Sequence, residues 1–159
     1  MFQVGDKIFY PMYGAGVIED IEEKEILGEK QLYYIFNVSQ NNMQVMIPLG
    51  KTENLGIREV VDSDTLENAL KVFAEEDPEL NDNRHQRYHL NVKKMKSGDI
   101  HQGVQVIRDL TYLSKTKKIS SEDKMMLDKA MNILTSELLL VKGFDEEQAS
   151  EFLDNYLNK

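Results

Sequence analysis

Residues 31–48, QLYYIFNVSQNNMQVMIP, decide the fold of the N-terminal half of this 159-residue chain. Apolar side chains alternate with other residues over positions 32–38 and again over positions 43–47, which is the period of two that half-buried β-strands show. The asparagine-rich segment 40–42 between them tolerates the backbone of a tight turn. This stretch is therefore predicted to be a β-hairpin.

The same period continues on both sides of this hairpin. Residues 7–10, a segment starting at residue 17, and residues 55–61 are predicted as further strands, and Gly14-Ala15-Gly16 supplies a flexible corner. Five short antiparallel strands in about 60 residues are typical of a small barrel of the Tudor or SH3 type rather than a sandwich.

After residue 61 the apolar period becomes helical and stays so. About five helices are predicted, each opened by a capping residue or closed by a breaker. The first helix starts at Asp64 with Glu67, and the second covers residues 84–96 and ends at Ser97-Gly98. Asp99 starts the third, over residues 100–114. Ser120 with Asp123 starts the long fourth helix, which Gly143 ends, and Asp145 with Gln148 starts the fifth. The prediction is an α+β protein with an N-terminal β-barrel (residues 1–61) and a compact all-helical domain (residues 62–159), of which residues 62–82 form a first helix and an acidic hinge loop.

Composition excludes several classes of protein. The chain has no cysteine, which rules out disulfides, thiolate metal sites and thiol nucleophiles, and its apolar runs are far shorter than the roughly 20 residues of a membrane span. Since 41% of its residues are hydrophobic, a packed core is expected. These features predict a soluble intracellular protein that does not bind membranes.

Charge is unevenly distributed along the chain. The net charge is −9, yet residues 83–118 carry nine basic and two acidic side chains, whereas residues 61–82 carry one basic and eight acidic ones. A polyanion repels an acidic protein as a whole, so an anion-binding surface is expected only where the positive charge is concentrated.

The densest basic segment is residues 83–96, which hold five arginines and lysines and no acid. Arginine, histidine and lysine side chains on successive helical turns suit contacts with a phosphate backbone, and the alternative is a solvated helix face. Arg108, predicted to lie apart from the apolar face of its helix, and the loop 115–118 add to this charge block and favour phosphate contact.

No catalytic or metal site is predicted. His85 and His89 have the i, i+4 spacing of two ligands on one helix face, but no glutamate accompanies them, and Arg84 and Arg87 would repel a cation. Met125, Met126 and Met131 lie on one helix and are interpreted as core filling. The chain is therefore predicted to be neither an enzyme nor a cofactor-binding protein.

The order of motifs resembles the CarD/CdnL family of bacterial transcription regulators, whose N-terminal module is shared with the transcription-repair coupling factor. The resemblance covers nearly the whole chain. The motifs that carry it are Val4-Gly5-Asp6, Tyr10-Pro11-Met12-Tyr13-Gly14-Ala15-Gly16, Gln31-Leu32-Tyr33-Tyr34, Val45-Met46-Ile47-Pro48, Gly56-Ile57-Arg58, Arg87-Tyr88, Ser97-Gly98-Asp99, Val106-Ile107-Arg108-Asp109-Leu110 and much of the segment 120–140.

The resemblance implies a barrel that docks on the β-subunit lobe of RNA polymerase and a helical domain that contacts promoter DNA, through its minor groove and phosphates, at the upstream edge of the transcription bubble. Such a protein modulates open-complex stability in the bacterial cytoplasm, reaching the nucleoid through polymerase, as a monomer or a domain-swapped dimer. The expected DNA-binding residues are Arg84, His85, Arg87, His89, Lys93, Lys94, Arg108, Lys115, Lys117, Lys118 and Lys124. The expected polymerase-binding residues are Lys24, Gln44, Val45, Met46, Ile47 and Pro48.

Two departures from the family pattern affect this expectation. Family members commonly carry a wedge tryptophan near the start of the second helix, whereas this chain has no tryptophan and places Arg84 there. Met46 stands where relatives carry a basic contact residue, and we expect it to be exposed. The alternative hypothesis is a docking module whose helical domain binds another protein and not DNA.

Overall fold

The structure is a computed structural model that describes residues 1–79 and 81–157. It begins with five strands: β1 (Lys7–Tyr10), β2 (Gly14–Ile26), β3 (Glu29–Val38), β4 (Met43–Pro48) and β5 (Arg58–Glu59), with a short 3₁₀ helix (Leu49–Lys51) before β5. The helices that follow are α1 (Ser63–Leu70), α2 (Val72–Glu75), α3 (Arg84–Lys96), α4 (Ile100–Thr116), α5 (Ser121–Lys142) and α6 (Glu146–Leu157). This is the predicted α+β architecture of a Tudor-like sheet domain followed by a helical domain.

The five strands form one antiparallel sheet in the order β4-β3-β2-β1-β5. The hairpin predicted from residues 31–48 is confirmed, because Val38 pairs with Met43 at its turn and Tyr33 pairs with Pro48 at its far end. Alternate side chains of β3, Tyr34 and Phe36, point into a small core that contains Ile8, Ile18 and Ile47. The fifth strand is shorter than predicted because Gly56, with φ +72°, belongs to the turn before it.

Most of the predicted helix boundaries are confirmed by their caps. Helix α3 spans residues 84–96 as predicted, and the side chain of Asn83 accepts a hydrogen bond from the Gln86 backbone N–H at its start. Asp99 caps α4 and Ser120 caps α5, while Gly143, with φ +69°, ends α5. Helix α4 continues two residues past the predicted end, to Thr116.

The prediction for the first helix is wrong in two respects. Asp62, not Asp64, is the capping residue, because its carboxylate accepts a hydrogen bond of 2.7 Å from the Thr65 backbone N–H. This bond lowers the pKa of the Asp62 carboxyl. The helix also divides at Lys71 into α1 and α2, rather than running on to Pro78.

The helical core extends into the sheet domain. Phe9 and Ala15 of the sheet lie in the same buried cluster as apolar residues of the helices. Met126 belongs to this cluster, but Met125 is 71% exposed, so the prediction that Met125 fills the core is wrong. Consecutive residues of a helix point about 100° apart, so Met126 lies on the buried side of α5 and its neighbour Met125 does not.

The two domains are joined at the C-terminal third of α5. Glu137, only 1% exposed, accepts hydrogen bonds from Nη1 and Nη2 of Arg58 at 2.8 and 3.0 Å and from the Val61 backbone N–H at 2.9 Å. The neighbouring hydroxyl, of Ser136, accepts a bond from the Ala15 backbone N–H at 2.8 Å. We call Arg58, Glu137, Ser136 and Ala15 the interdomain joint.

Candidate nucleic-acid and protein interfaces

The start of α3 presents the exposed basic residues of the predicted DNA surface. Arg84, His85 and His89 are all exposed, as is Lys93 two turns further along the same helix. Because the Asn83 side chain caps the helix, one backbone N–H group of its first turn already has a hydrogen-bond partner.

Arg87 is not a free member of this surface. Its side chain is 14% exposed, and its Nη2 donates to Asp123 Oδ2 at 2.8 Å while Nη1 donates to the Asn81 carbonyl at 2.8 Å. Asp123 belongs to the first turn of α5, where Ser120 also bonds it. Arg87 therefore fastens the start of α3 against the start of α5, and a phosphate would have to compete with that ion pair.

We call Arg87 and Asp123 the α3–α5 clamp, because their ion pair holds the start of α3 against the start of α5. A second set of exposed cations lies at and just before this start of α5. Lys124 lies next to Asp123 in sequence and is exposed, and so are Lys117 and Lys118 in the segment that leads into α5. Lys115, by contrast, is the last-turn lysine of α4, and its Nζ donates to the Leu157 carbonyl. It lies in the helix and not in the predicted loop.

The prediction that Arg108 lies apart from the buried side of its helix is wrong. Arg108 is buried, and its Nε donates to Asp109 Oδ1 at 2.9 Å while Nη1 approaches Glu76 Oε1 at 3.4 Å. A buried guanidinium needs such partners, because an unpaired charge is costly to remove from water. Arg108 holds α4 to the segment after α2, and we leave it out of the proposed DNA surface.

A cleft of about 680 Å³ lies beside α3. It is lined on one side by Arg87, Asn91 and Lys94 and on the other by the acidic residues Glu79, Asp82 and Asp109. Arg87 Nε and Asn91 Nδ2 are buried donors without a protein partner in the part of the chain that the structure describes. The nearby carboxylates make this cleft a poor phosphate site, so Lys94 faces mixed charge rather than a purely basic surface.

Strand β4 is an edge strand of the described sheet, since its neighbour there is β3 alone. Met46 is 43% exposed, as the sequence led us to expect, and Gln44 is also exposed. Ile47 is fully buried, and Val45 and Pro48 are partly buried. An edge strand of this kind can pair with a strand of another protein through its main chain, whatever side chains it carries.

Lys24 lies on β2, in the distal part of the β2–β3 hairpin. Its side chain is about half exposed and lies 3.6 Å from a carboxylate oxygen of Glu22. Such an exposed pair contributes little to stability and leaves the ammonium group accessible to a partner.

Metal-binding and membrane-spanning features are not found within residues 1–79 and 81–157. There, no cluster of three or more histidine or acidic side chains has the arrangement of a cation site, so His85 and His89 have no third ligand. No described helix is long and apolar enough to cross a bilayer.

The contacts of the interdomain joint and of the α3–α5 clamp were not predicted from the sequence. Ser136 and Glu137 interrupt the apolar stripe of α5, and Glu137 follows Ile133 by one helical turn, on the buried side. A polar residue on the apolar face of a helix indicates a buried hydrogen-bond or ion-pair partner, and this signal was present in the sequence. Asp123 was recognised as part of a cap, but its partner lies 36 positions away and no local pattern identifies it.

Comparisons with known proteins agree along nearly the whole length of the chain. Residues 2–61 match the CarD-like/TRCF RID domain, and residues 68–154 match the CarD C-terminal domain. A similar protein is the "Putative transcription factor YdeB" of Bacillus subtilis (strain 168), which is 45% identical over 152 residues, covering 96% of this chain and 99% of the relative.

Proposed function

Because this chain belongs to the CarD-like family of transcription factors, we propose that it regulates the stability of open promoter complexes. In this proposal the sheet domain binds the β-subunit lobe of RNA polymerase through β4, and the helical domain contacts promoter DNA at the upstream edge of the bubble. The observation that carries the proposal is the exposed start of α3, a helix without acidic residues that is clamped to the start of α5, where Lys124 is also exposed, in an otherwise acidic protein.

The docking half of the proposal is supported by the accessible edge of the sheet. Main-chain groups of β4 can extend a partner's sheet, and Met46 supplies an exposed apolar side chain beside them. The substitution of a basic residue by methionine at this position therefore changes the side-chain contact and preserves the backbone contact.

The DNA half of the proposal is supported by the position of a few cations. Arg84, Lys118 and Lys124 are exposed near the clamped starts of α3 and α5. Arginine favours the negative potential of a narrow minor groove, although it cannot fill an unstacked base step as an aromatic ring does. Docking on polymerase raises the local concentration of this surface at the promoter, so that weak phosphate contacts suffice.

The central test is the lifetime of the open complex formed by RNA polymerase on a weakly melting promoter. We expect the protein to lengthen it, and the charge-reversal variant Arg84→Glu with Lys124→Glu to lose most of that effect while still binding polymerase. Arg87 is left unchanged because its loss would unfasten α3 from α5. The matched control reverses two exposed lysines outside the surface, Lys7→Glu with Lys71→Glu, and should behave as wild type.

The outcomes separate the two functional hypotheses. If both variants lengthen the open-complex lifetime less than wild type does, and by the same amount, the loss comes from the overall change of charge and not from a contact with DNA. An unchanged lifetime in the Arg84 and Lys124 variant, with polymerase bound, would contradict DNA contact and favour a helical domain that binds another protein.

Docking is tested by the variant Met46→Glu. We expect its affinity for RNA polymerase to fall about tenfold, because an apolar contact worth 1–2 kcal/mol is replaced by a buried charge. The change should leave stability within about 0.5 kcal/mol, since the side chain is exposed. Surface plasmon resonance with core polymerase measures the affinity, and an unchanged dissociation constant would exclude Met46 from the interface.

A further inference from the structure

The cleft beside α3, which we call the α3 cleft, has two walls of opposite charge. One face of α3 forms the first wall, because Arg87, Asn91 and Lys94 follow one another at intervals of four and three residues. The segment before α3 forms the second wall and carries the carboxylates of Glu79 and Asp82. The volume of about 680 Å³ is within the range of small-molecule sites.

The helical wall holds hydrogen-bond donors that the protein leaves unused. Asn91 is only 4% exposed, and its Nδ2 has no hydrogen-bond partner in the part of the chain that the structure describes. Arg87 Nε, one turn earlier, is a second buried donor without a partner there. Such donors are rare, because each has lost its bonds to water without gaining others. An asparagine amide turns easily about its terminal bond, so Nδ2 can reach an acceptor that enters the cleft.

Lys94 adds a cation to the same wall. The residue is partly buried, yet its ammonium group forms no ion pair within residues 1–79 and 81–157. A carboxylate has two oxygens, so it can accept from the Lys94 ammonium and from the Asn91 amide at the same time. The helical wall is therefore suited to a carboxylate.

The opposite wall is suited to a cation. Glu79 and Asp82 are exposed, and neither carboxylate forms an ion pair with another described residue. Asp109 differs from them, because its Oδ1 already accepts from Arg108 Nε and from the Glu79 backbone N–H. Glu79 and Asp82 thus remain available to a positively charged group, and a ligand with charges of both signs can bridge the walls.

Leu90 gives the cleft an apolar surface. Its side chain lies beside Asn91 on α3, lines the cleft and is 46% exposed. A chain of methylene groups gains free energy by covering such a surface, whereas a small inorganic ion does not. The three features together match an amino acid whose cation is carried on a long aliphatic side chain.

We propose that the α3 cleft binds a free basic amino acid, arginine or lysine. The carboxylate of the ligand accepts hydrogen bonds from Lys94 and Asn91, its methylene groups pack on Leu90, and its side-chain cation pairs with Glu79 and Asp82. The bound ligand ties α3 to the segment that leads into it. This inference goes beyond the proposed function and does not depend on it, because the site belongs to the free protein.

Isothermal titration calorimetry with L-arginine and L-lysine tests the proposal on the full chain. We expect saturable binding, and a melting temperature that rises with the concentration of the ligand. Lys94→Met keeps an aliphatic side chain but removes the charge, so it should weaken binding about tenfold or more. Lys93→Met is the matched control and should bind as wild type does, because Lys93 is exposed on the same helix and does not line the cleft.

The acidic wall is tested by neutralising its two available carboxylates. Glu79→Gln with Asp82→Asn should lower the affinity for L-arginine about tenfold or more. Glu75→Gln with Asp77→Asn changes two exposed carboxylates just upstream, outside the cleft, and should leave the affinity unchanged. Equal losses in the two double variants would show an effect of overall charge and refute the acidic wall.

Two analogues test the two ends of the ligand. Agmatine lacks the carboxylate and L-norvaline lacks the guanidinium group, so each should bind about tenfold or more weakly than L-arginine. Agmatine that binds as tightly as L-arginine would refute the contact with Lys94 and Asn91. No saturable binding of either amino acid, or wild-type affinity in Lys94→Met, would overturn the proposal. Polymerase and DNA are absent from these titrations, so such a failure leaves the proposed function untouched.

Discussion

Replacement of Gly16 by alanine is expected to prevent the sheet domain from folding normally. A Cβ atom at this position would overlap the Asn37 carbonyl oxygen and lie 2.7 Å from Cε1 of Phe36. Gly16 lies on β2 between Ile8 of β1 and Val38 of β3, and both clashing residues belong to β3, so β3 would have to move away from β2. We expect a loss of about 4 kcal/mol or more, which belongs to the largest effects of single substitutions.

Thermal unfolding followed by circular dichroism measures this effect. The melting temperature of Gly16→Ala should fall by about 10 °C or more, or the cooperative transition should disappear. Gly103→Ala is the matched control, because no atom lies within 4 Å of its added Cβ and alanine favours the helix. That variant should gain about 0.5–1 kcal/mol. Similar melting temperatures for the two variants would contradict the close approach of β2 and β3.

Replacement of Arg58 by leucine is expected to destabilise the protein by about 3–5 kcal/mol, because Glu137 would remain buried without its cation. Arg58 also donates from Nε to the Gly98 carbonyl at 2.7 Å, and its guanidinium lies 4.1 Å from the centre of the Phe9 ring. One side chain thus connects the last strand, the turn between α3 and α4, and the C-terminal third of α5.

The control and the rescue make this prediction specific. Lys24→Leu removes a cation from an exposed pair and should change stability by less than about 0.5 kcal/mol. Arg58→Leu combined with Glu137→Leu removes both charges and should recover part of the lost stability, although the Val61 backbone N–H then loses its acceptor. A double variant less stable than Arg58→Leu alone would show that the uncompensated carboxylate is not the source of the loss.

Local signals predicted the elements that depend on local interactions. The end of helix α3 could be placed because Ser97-Gly98 terminates it, a signal that acts within a few residues. The β3–β4 hairpin could be placed because alternation and an asparagine-rich turn agree. The first helix was misplaced because Asp62 and Asp64 both resemble capping residues, and the choice depends on the chain that precedes them.

The burial of two arginines in the candidate surface could not be predicted, because it depends on ion pairs between residues far apart in sequence. Arg87 and Arg108 look alike in sequence to Arg84, but each has a carboxylate partner from a distant helix or segment. Only the folded chain brings Asp123 to Arg87 and Glu76 to Arg108. The number of arginines and lysines in this segment is therefore larger than the number of cations that are exposed.

The position of the interdomain joint on α5 has a consequence for how DNA would be selected. Asp123, which holds the start of α3, and Glu137, which holds the sheet domain, are fixed on one continuous helix, about 21 Å apart along its axis. Under the proposed function, a protein seated on polymerase can reach phosphates only at a fixed distance from its docking edge, because the clamp and the joint lie on one helix. The position of its DNA contacts would then be set by their distance from the enzyme and not by the base sequence. Base changes in that part of a promoter would leave the contact intact.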